Sequence, residues 1–260
     1  MANVTNTAVL DAPETRERKD LREMLEKLAD VGTVELKMNV PAEQRMGLRK
    51  LNVDALKGKI REVVFFDTPD LQLNGSGLVV RARRSQGAQD DSVIKLRPVV
   101  PAELSADLRQ TTDFNVEVDA MPGGYVCSAS YKGKIATGEV KQALRGALPI
   151  RKLFSKPQRA FYAAHAPEGL ALDDLHMLGP ITVIKLKWQP ADFKRPMVAE
   201  LWFYPDGSRI LELSTKCKPN EAFQVAAETR AFLATKGVNT GGEQQTKTKT
   251  ALEFFANRGD

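Results

Sequence analysis

Cysteine and histidine are nearly missing from this chain, with two of each among 260 residues. Cys127 and Cys217 are too few for a disulfide framework or a multi-cysteine metal site. His165 and His176 have no cysteine beside either, which excludes a structural zinc site. Long apolar runs are absent too. None approaches the roughly 18 residues of a membrane-crossing helix, so no membrane partner is expected. The opening MANVTNTAVLDAPETRERKD lacks a basic stretch followed by an apolar one, so no secretory signal is expected. The cytoplasm is the expected compartment. Aromatic residues make up 7%, and no aromatic-plus-basic stripe runs along an exposed strand, so nucleic acid is not an expected partner.

What the chain does have is charge of both signs, 38 Lys and Arg against 33 Asp and Glu, for a net +5. A balance this mild decides nothing by itself. Position decides. Residues 16–30 place Leu21, Leu25 and Leu28 at helical spacing, and 42–56 is a weaker helical stretch. Period-2 alternation then predicts strands at 34–38, 61–68, 77–84, 92–97, 114–118, 181–188, 197–204 and 209–217, with 151–164 as a further candidate. Residues 120–150 read as irregular apart from a short helix at 139–145. Asn220 is placed to cap a helix over 221–236. The TKTKT run at 246–250 reads as solvated linker ahead of a phosphate or RNA contact, and 251–257 as a short docking helix. The expected organisation is a leader and amphipathic helix (1–32), a β domain (33–218) and a C-terminal helix and tail packed on it (219–260).

Side chains at i and i+2 of a strand share a face. One face of these strands collects Lys37, Arg81, Arg83, Lys95, Arg97, Lys185, Lys187 and Lys216, together with Glu35, Glu117, Asp119, Glu200 and Glu212. The other face is apolar, with Val34, Leu36, Val80, Ile94, Leu201 and Leu213 among its members. A sheet with one wet face would alternate in the same way. The charged positions, however, are almost all fully ionised, and acids and bases segregate by strand. A closed barrel with its charges inside accounts for both features. Cations enclosed in that way need counter-charge, and eight cationic against five acidic positions suit a polyanion. Carboxylates on separate strands suit a hard divalent cation, and the combination describes a phosphoryl-transfer site.

The segments VELK (34–37), FFDTPDLQL (65–73), GLVVRARR (77–84), SVIKLRP (92–98), RAFY (159–162) and AELWFYPDGSRILELSTK (199–216) resemble those of the CYTH superfamily, the triphosphate tunnel metalloenzymes. The resemblance implies a closed antiparallel barrel of about eight strands, flanked by helices and mainly β. It implies Mg²⁺- or Mn²⁺-dependent action on a triphosphate or polyphosphate. On the matching positions it implies Glu35, Glu117, Glu200 and Glu212 as metal ligands. Lys37, Arg81, Arg83, Lys95, Arg97, Arg159 and Lys185 would bind substrate, with Glu35, Lys37 and Glu212 catalytic. Arg159 reads equally as a tunnel ligand or a surface charge. Thr33, Trp202 and Ser214 stand where that pattern has further acids, so each acidic doublet has lost a member. Hydrolase is the leading expectation. A non-catalytic polyphosphate or phosphorylated-ligand binder and a class IV-type adenylate cyclase are the alternatives, and a second copy of the chain is left open as a partner.

Overall fold

The computed structural model describes residues 31–41, 50–238 and 246–257. The helix expected over 16–30 and most of the stretch 42–56 lie outside these residues. Nine strands form a closed barrel: β1 (Thr33–Val40), β2 (Lys59–Asp67), β3 (Leu78–Ser85), β4 (Asp90–Leu96), β5 (Phe114–Met121), β6 (Gly124–Ile135), β7 (His176–Trp188), β8 (Met197–Phe203) and β9 (Arg209–Cys217). Their order around the barrel is β1-β5-β6-β4-β3-β2-β7-β8-β9, and β1 closes it. β1 runs antiparallel to β9, with Glu35 opposite Lys216, and parallel to β5, with Glu35 opposite Asp119. The expected closed, mainly β barrel is present; it has nine strands where about eight were expected, and one contact, β1 with β5, is parallel.

The added strand is β6, inside a region read as irregular. Its sequence, GYVCSASYKGKI, carries Ser128 and Ser130 on the inner face, where other strands carry ionised side chains. Glycine, serine and alanine also lower its strand propensity. Met121 lies opposite Gly124, so β5 and β6 join through Pro122 and Gly123 alone. Gly123 takes a φ of 91°, the left-handed conformation that a Pro-Gly turn requires at its second central residue.

Among the described residues the three longest helices cover or plug the barrel, and the short helix expected at 139–145 is present as Glu139–Leu144. The segment expected as a strand over 151–164 is instead helix α1 (Lys156–Ala163), and the SKPQ sequence explains it. Ser155 accepts from the Gln158 backbone N–H while the Gln158 side chain accepts from the Ser155 N–H, a capping box with Pro157 in the first turn. Phe161 and Tyr162 of α1 pack on the outer apolar face with Val64, Val80 and Ile94. Helix α2 (Ala222–Thr235) packs Phe232 and Leu233 against Met38 and Leu213. Asn220 does not cap it; Asn220 lies in the 3₁₀ turn Pro219–Glu221, and no side chain caps the helix.

Helix α3 (Lys247–Ala256) begins four residues before the expected docking helix, because Thr246 caps it by accepting from the Lys249 N–H at 3.3 Å. Residues 246–250 are thus cap and first turn rather than linker. Ala251 and Leu252, 0% and 2% exposed, pack with Val63, Phe65, Val79, Ile181, Val183 and Trp202. Pairing of Val63 with Arg83 and Phe65 with Arg81 puts these apolar residues on the inner face. One end of the barrel interior is thus apolar and filled by α3. Burying a leucine there contributes about 1.5–3 kcal/mol, which anchors the helix.

Candidate functional site

The rest of the interior is a cavity of about 280 Å³ lined by eleven cationic and four acidic side chains. Lys37, Arg81, Arg83, Lys95, Arg97, Lys185, Lys187 and Lys216 all line it, as do Glu35, Glu117, Asp119 and Glu200. The strand alternation converges on one enclosed volume.

On β1, β5 and β9 the charges satisfy one another. Asp119 lies between two ammonium groups, with Lys37 Nζ 2.7 Å from Oδ1 and Lys95 Nζ 3.1 Å from Oδ2. Glu117 pairs with Lys95 at 3.2 Å and Lys216 at 3.3 Å. Glu35 lies 3.6 Å from both Lys37 and Lys216, and Ser214 donates its hydroxyl to Glu35 at 3.1 Å. Burial alone would raise the Glu117 pKa, but Lys95, Lys216 and Lys37 outweigh both burial and Asp119 and bring it down to about 2. Asp119 is likewise lowered, against its burial, by Lys37 and Lys95. For Lys37, burial works downward, yet Asp119, Glu35 and Glu212 raise its pKa above the ordinary value. One oxygen from each of Glu35, Glu117 and Asp119 lies within 4.8 Å of the others, which makes this group able to hold a cation.

The other two expected metal ligands belong to a different group. Glu200 on β8 and Glu212 on β9 are opposite each other in the sheet. Lys185 Nζ donates to Glu200 Oε1 at 2.6 Å. Lys247, from the first turn of α3, donates to the second oxygen of Glu200 and, at 2.6 Å, to Glu212 Oε1. Burial raises the Glu200 pKa, and Lys247 and Lys185 reverse this, leaving it well below the ordinary carboxylate range. Glu212 faces an adjoining cavity of about 300 Å³, beside the Met121–Gly124 turn and the N-terminus of α3. The four carboxylates expected as metal ligands fall into two groups, Glu35 and Glu117 with Asp119 in one and Glu200 with Glu212 in the other. Both groups are paired with lysines, Lys247 alone bridging the two acids of the second.

The wall formed by β2, β3, β4 and β7 is short of acid. Asp91 accepts from Arg83 Nε at 2.9 Å and Nη2 at 2.7 Å. Arg81, Arg97 and Lys187, with Arg61 and Lys132, line the cavity without an ion-pair partner among the described residues. Burial, then the neighbouring Arg83, pulls the Arg81 pKa down to about 10. Burial lowers Arg97 as well, with only Asp119 acting against it. The buried Nε atoms of Arg61 and Arg81 have no hydrogen-bond partner among the described residues.

Arg159 is a correction. It lies on α1, outside the barrel, with Nη1 donating to the Phe154 carbonyl at 2.6 Å, and it does not line the cavity. Arg61, Lys132 and Lys247 are site residues that sequence reasoning passed over. Arg61 begins a run, REVVFFD, that is apolar on both faces, so the parity placing it inside was masked. Lys247 carried no strand signal; only Thr246, a capping residue ahead of an apolar ALEFF segment, marks it.

No family model and no curated protein matches this sequence. Solved structures do match. An adenylyl cyclase candidate from Hippeastrum, described as having a dominant triphosphatase activity, is 16% identical, with a TM-score of 0.63 over 86% of this chain and 96% of that one. An adenylate cyclase candidate from Bacillus halodurans is also 16% identical, with a TM-score of 0.57 over 85% of this chain and 98% of that one. This chain has their fold. Among the described residues no helix is long and apolar enough to cross a membrane.

Proposed function

We propose that the tunnel binds a triphosphate or polyphosphate and that the protein hydrolyses it with Mg²⁺ or Mn²⁺. The observation that carries this reading is the unpaired basic wall. Arg81 and Arg97, both partly buried, face the tunnel with no carboxylate partner among the described residues. Enclosed cations without counter-charge are costly, and a row of phosphates supplies that charge along the length of the wall.

Glu35, Glu117 and Asp119 would hold the divalent ion, since carboxylate oxygens are the hard donors such ions prefer and these three converge. When bound, the ion polarises a phosphoryl oxygen and makes a bound water more acidic. The rest falls to the chain. Polyphosphate oxygens compete with Asp119 and Glu117 for Lys37 and Lys95, drawing these ammonium groups from the wall onto the ligand. Arg81 and Arg97 then offset charge that builds on the transferring phosphoryl group. Glu212 serves as an anchor for Lys247.

The test is phosphate release from tripolyphosphate, ATP and thiamine triphosphate, with and without Mg²⁺ or Mn²⁺, with cyclic AMP measured alongside. Metal-dependent phosphate release supports the hydrolase, and cyclic AMP in its place would mark a cyclase. A second reading, a polyphosphate binder without turnover, is favoured by the occupation of Glu200 and Glu212 by Lys247. Tight binding with no turnover on any substrate would establish it.

A further inference from the structure

Lys247 ends in a place that chemistry would otherwise assign to a metal ion. Its ammonium lies between two carboxylates on neighbouring strands, in contact with Glu200 and 2.6 Å from Glu212. Glu212 is buried and Glu200 mostly so, with side-chain exposures of 4% and 12%. The third side of the ammonium faces the indole of Trp202, 5.4 Å from the ring centroid. An indole face attracts a compact organic cation. It offers nothing to Mg²⁺, which requires oxygen ligands all round and gives up its water reluctantly. The lysine is also held in place, because Thr246 caps its helix and Ala251 and Leu252 are buried in the apolar end of the barrel.

We propose that Lys247 is a built-in cation that replaces a divalent ion at the Glu200–Glu212 pair, leaving Glu35, Glu117 and Asp119 as the tunnel's one metal site. Only the latter half rests on the proposed function. Lys247 is a positioning residue here. It fixes two carboxylates that would otherwise capture metal or repel the incoming polyanion. Trp202 and Lys247 act together, since the aromatic removes an oxygen ligand and the ammonium fills the space.

The experiment is Mn²⁺ stoichiometry on the full chain by electron paramagnetic resonance, without substrate, comparing wild type with Lys247→Met, Lys247→Gln and Lys247→Arg. The neutral variants should bind one more Mn²⁺ per chain than wild type, and Lys247→Arg should not. Adding Glu212→Gln to Lys247→Met should remove the gained site. Mn²⁺ should also raise the Tm of the neutral variants more than that of wild type, because it restores the missing counter-charge. If Lys247→Met does not fold, Lys247→Gln, whose amide still donates to a carboxylate, carries the measurement. Equal stoichiometry in wild type and both neutral variants would overturn the proposal. So would a gained site that survives Glu212→Gln. A wild type that binds no Mn²⁺ beside variants that bind one would support the Lys247 assignment and remove the metal role of Glu35, Glu117 and Asp119, so the two readings fail separately.

Discussion

The two walls of the tunnel carry charge in opposite ways. On β1, β5, β8 and β9 every acid that lines the cavity, Glu35, Glu117, Asp119 and Glu200, touches two lysines. On β2, β3, β4 and β7 the arginines that line the cavity outnumber their partners, and among the described residues Arg83 alone of them has a carboxylate of its own, Asp91. The paired wall is complete in the folded chain and contributes to the integrity of the barrel. The unpaired wall is a cost to folding that a ligand can relieve. If that division is right, substitutions on the two walls should differ in kind: ligand affinity lost on one, stability on the other.

The largest effect should come from Arg81→Glu. Truncating one partner of a desolvated charge pair costs about 2–5 kcal/mol, roughly 30- to 4,000-fold in affinity. Reversal adds repulsion to that loss. Tripolyphosphate binding measured by calorimetry should vanish while the circular dichroism spectrum is kept. Unchanged affinity would end the distinction between the walls. Asp119→Asn should do the converse. It leaves Lys37 with Glu35 alone and Lys95 with Glu117 alone; breaking a buried pair outright costs about 3–5 kcal/mol, so stability read by urea unfolding should fall by up to that amount. Metal-free polyanion affinity should hold or tighten, because a negative charge has left the cavity. A fall in affinity without loss of stability would show that Asp119 belongs to the ligand site rather than to the frame.

A smaller effect sharpens the same contrast through pH. Glu117 is lowered to about 2 in the folded chain, and Asp119 and Glu200 are lowered too. A carboxylate with a depressed folded pKa stabilises fully above its unfolded value, near 4, and loses that contribution as pH falls through the folded value. Stability should therefore be level above about pH 5 and fall from about pH 4 toward pH 2. Urea unfolding at pH 5 and pH 3 should show this slope in wild type and a weaker one in Glu117→Gln. Arg81 runs the other way, its pKa lowered to about 10, so its penalty persists through neutral pH. Bound tripolyphosphate should relieve that penalty and raise the Tm, less so as salt screens the contact.

The walls were legible in the sequence because ionised residues at every second position survive any change in barrel geometry. Lys37, Arg81, Lys95, Glu117, Lys185 and Glu200 needed only parity to be placed together. Strand β6 was not legible, since Ser128 and Ser130 face inward without charge, so its alternation looked like irregular chain. The parallel contact of β1 with β5 depends on the long-range closure of the barrel, to which local pattern is blind. The division of the acids depended on Lys247, a lysine in a polar stretch whose helix forms only because Ala251 and Leu252 find the barrel's apolar end. Periodicity reads a face; it does not read what a distant helix inserts behind it.

Arg159 sets the lower bound of the comparison. It lies in RAFY, a segment that resembles a tunnel strand, yet here that segment is helical and its arginine is exposed on the outside of the barrel. Its Nη1 donates to the Phe154 carbonyl, just ahead of the helix that Ser155 caps. Arg159→Ala should then cost only that one partly solvated hydrogen bond, about 0.5–1.5 kcal/mol of stability. Tripolyphosphate affinity should be unchanged, because the side chain reaches neither the phosphates nor the residues that hold them. Calorimetry and urea unfolding on the same variant separate the two quantities. A loss of affinity comparable to that of Arg81→Glu, with stability intact, would mean that α1 leaves its place on the barrel when ligand binds. The basic wall would then extend beyond the residues that line the cavity. A small loss of stability alone would confine ligand recognition to the strands.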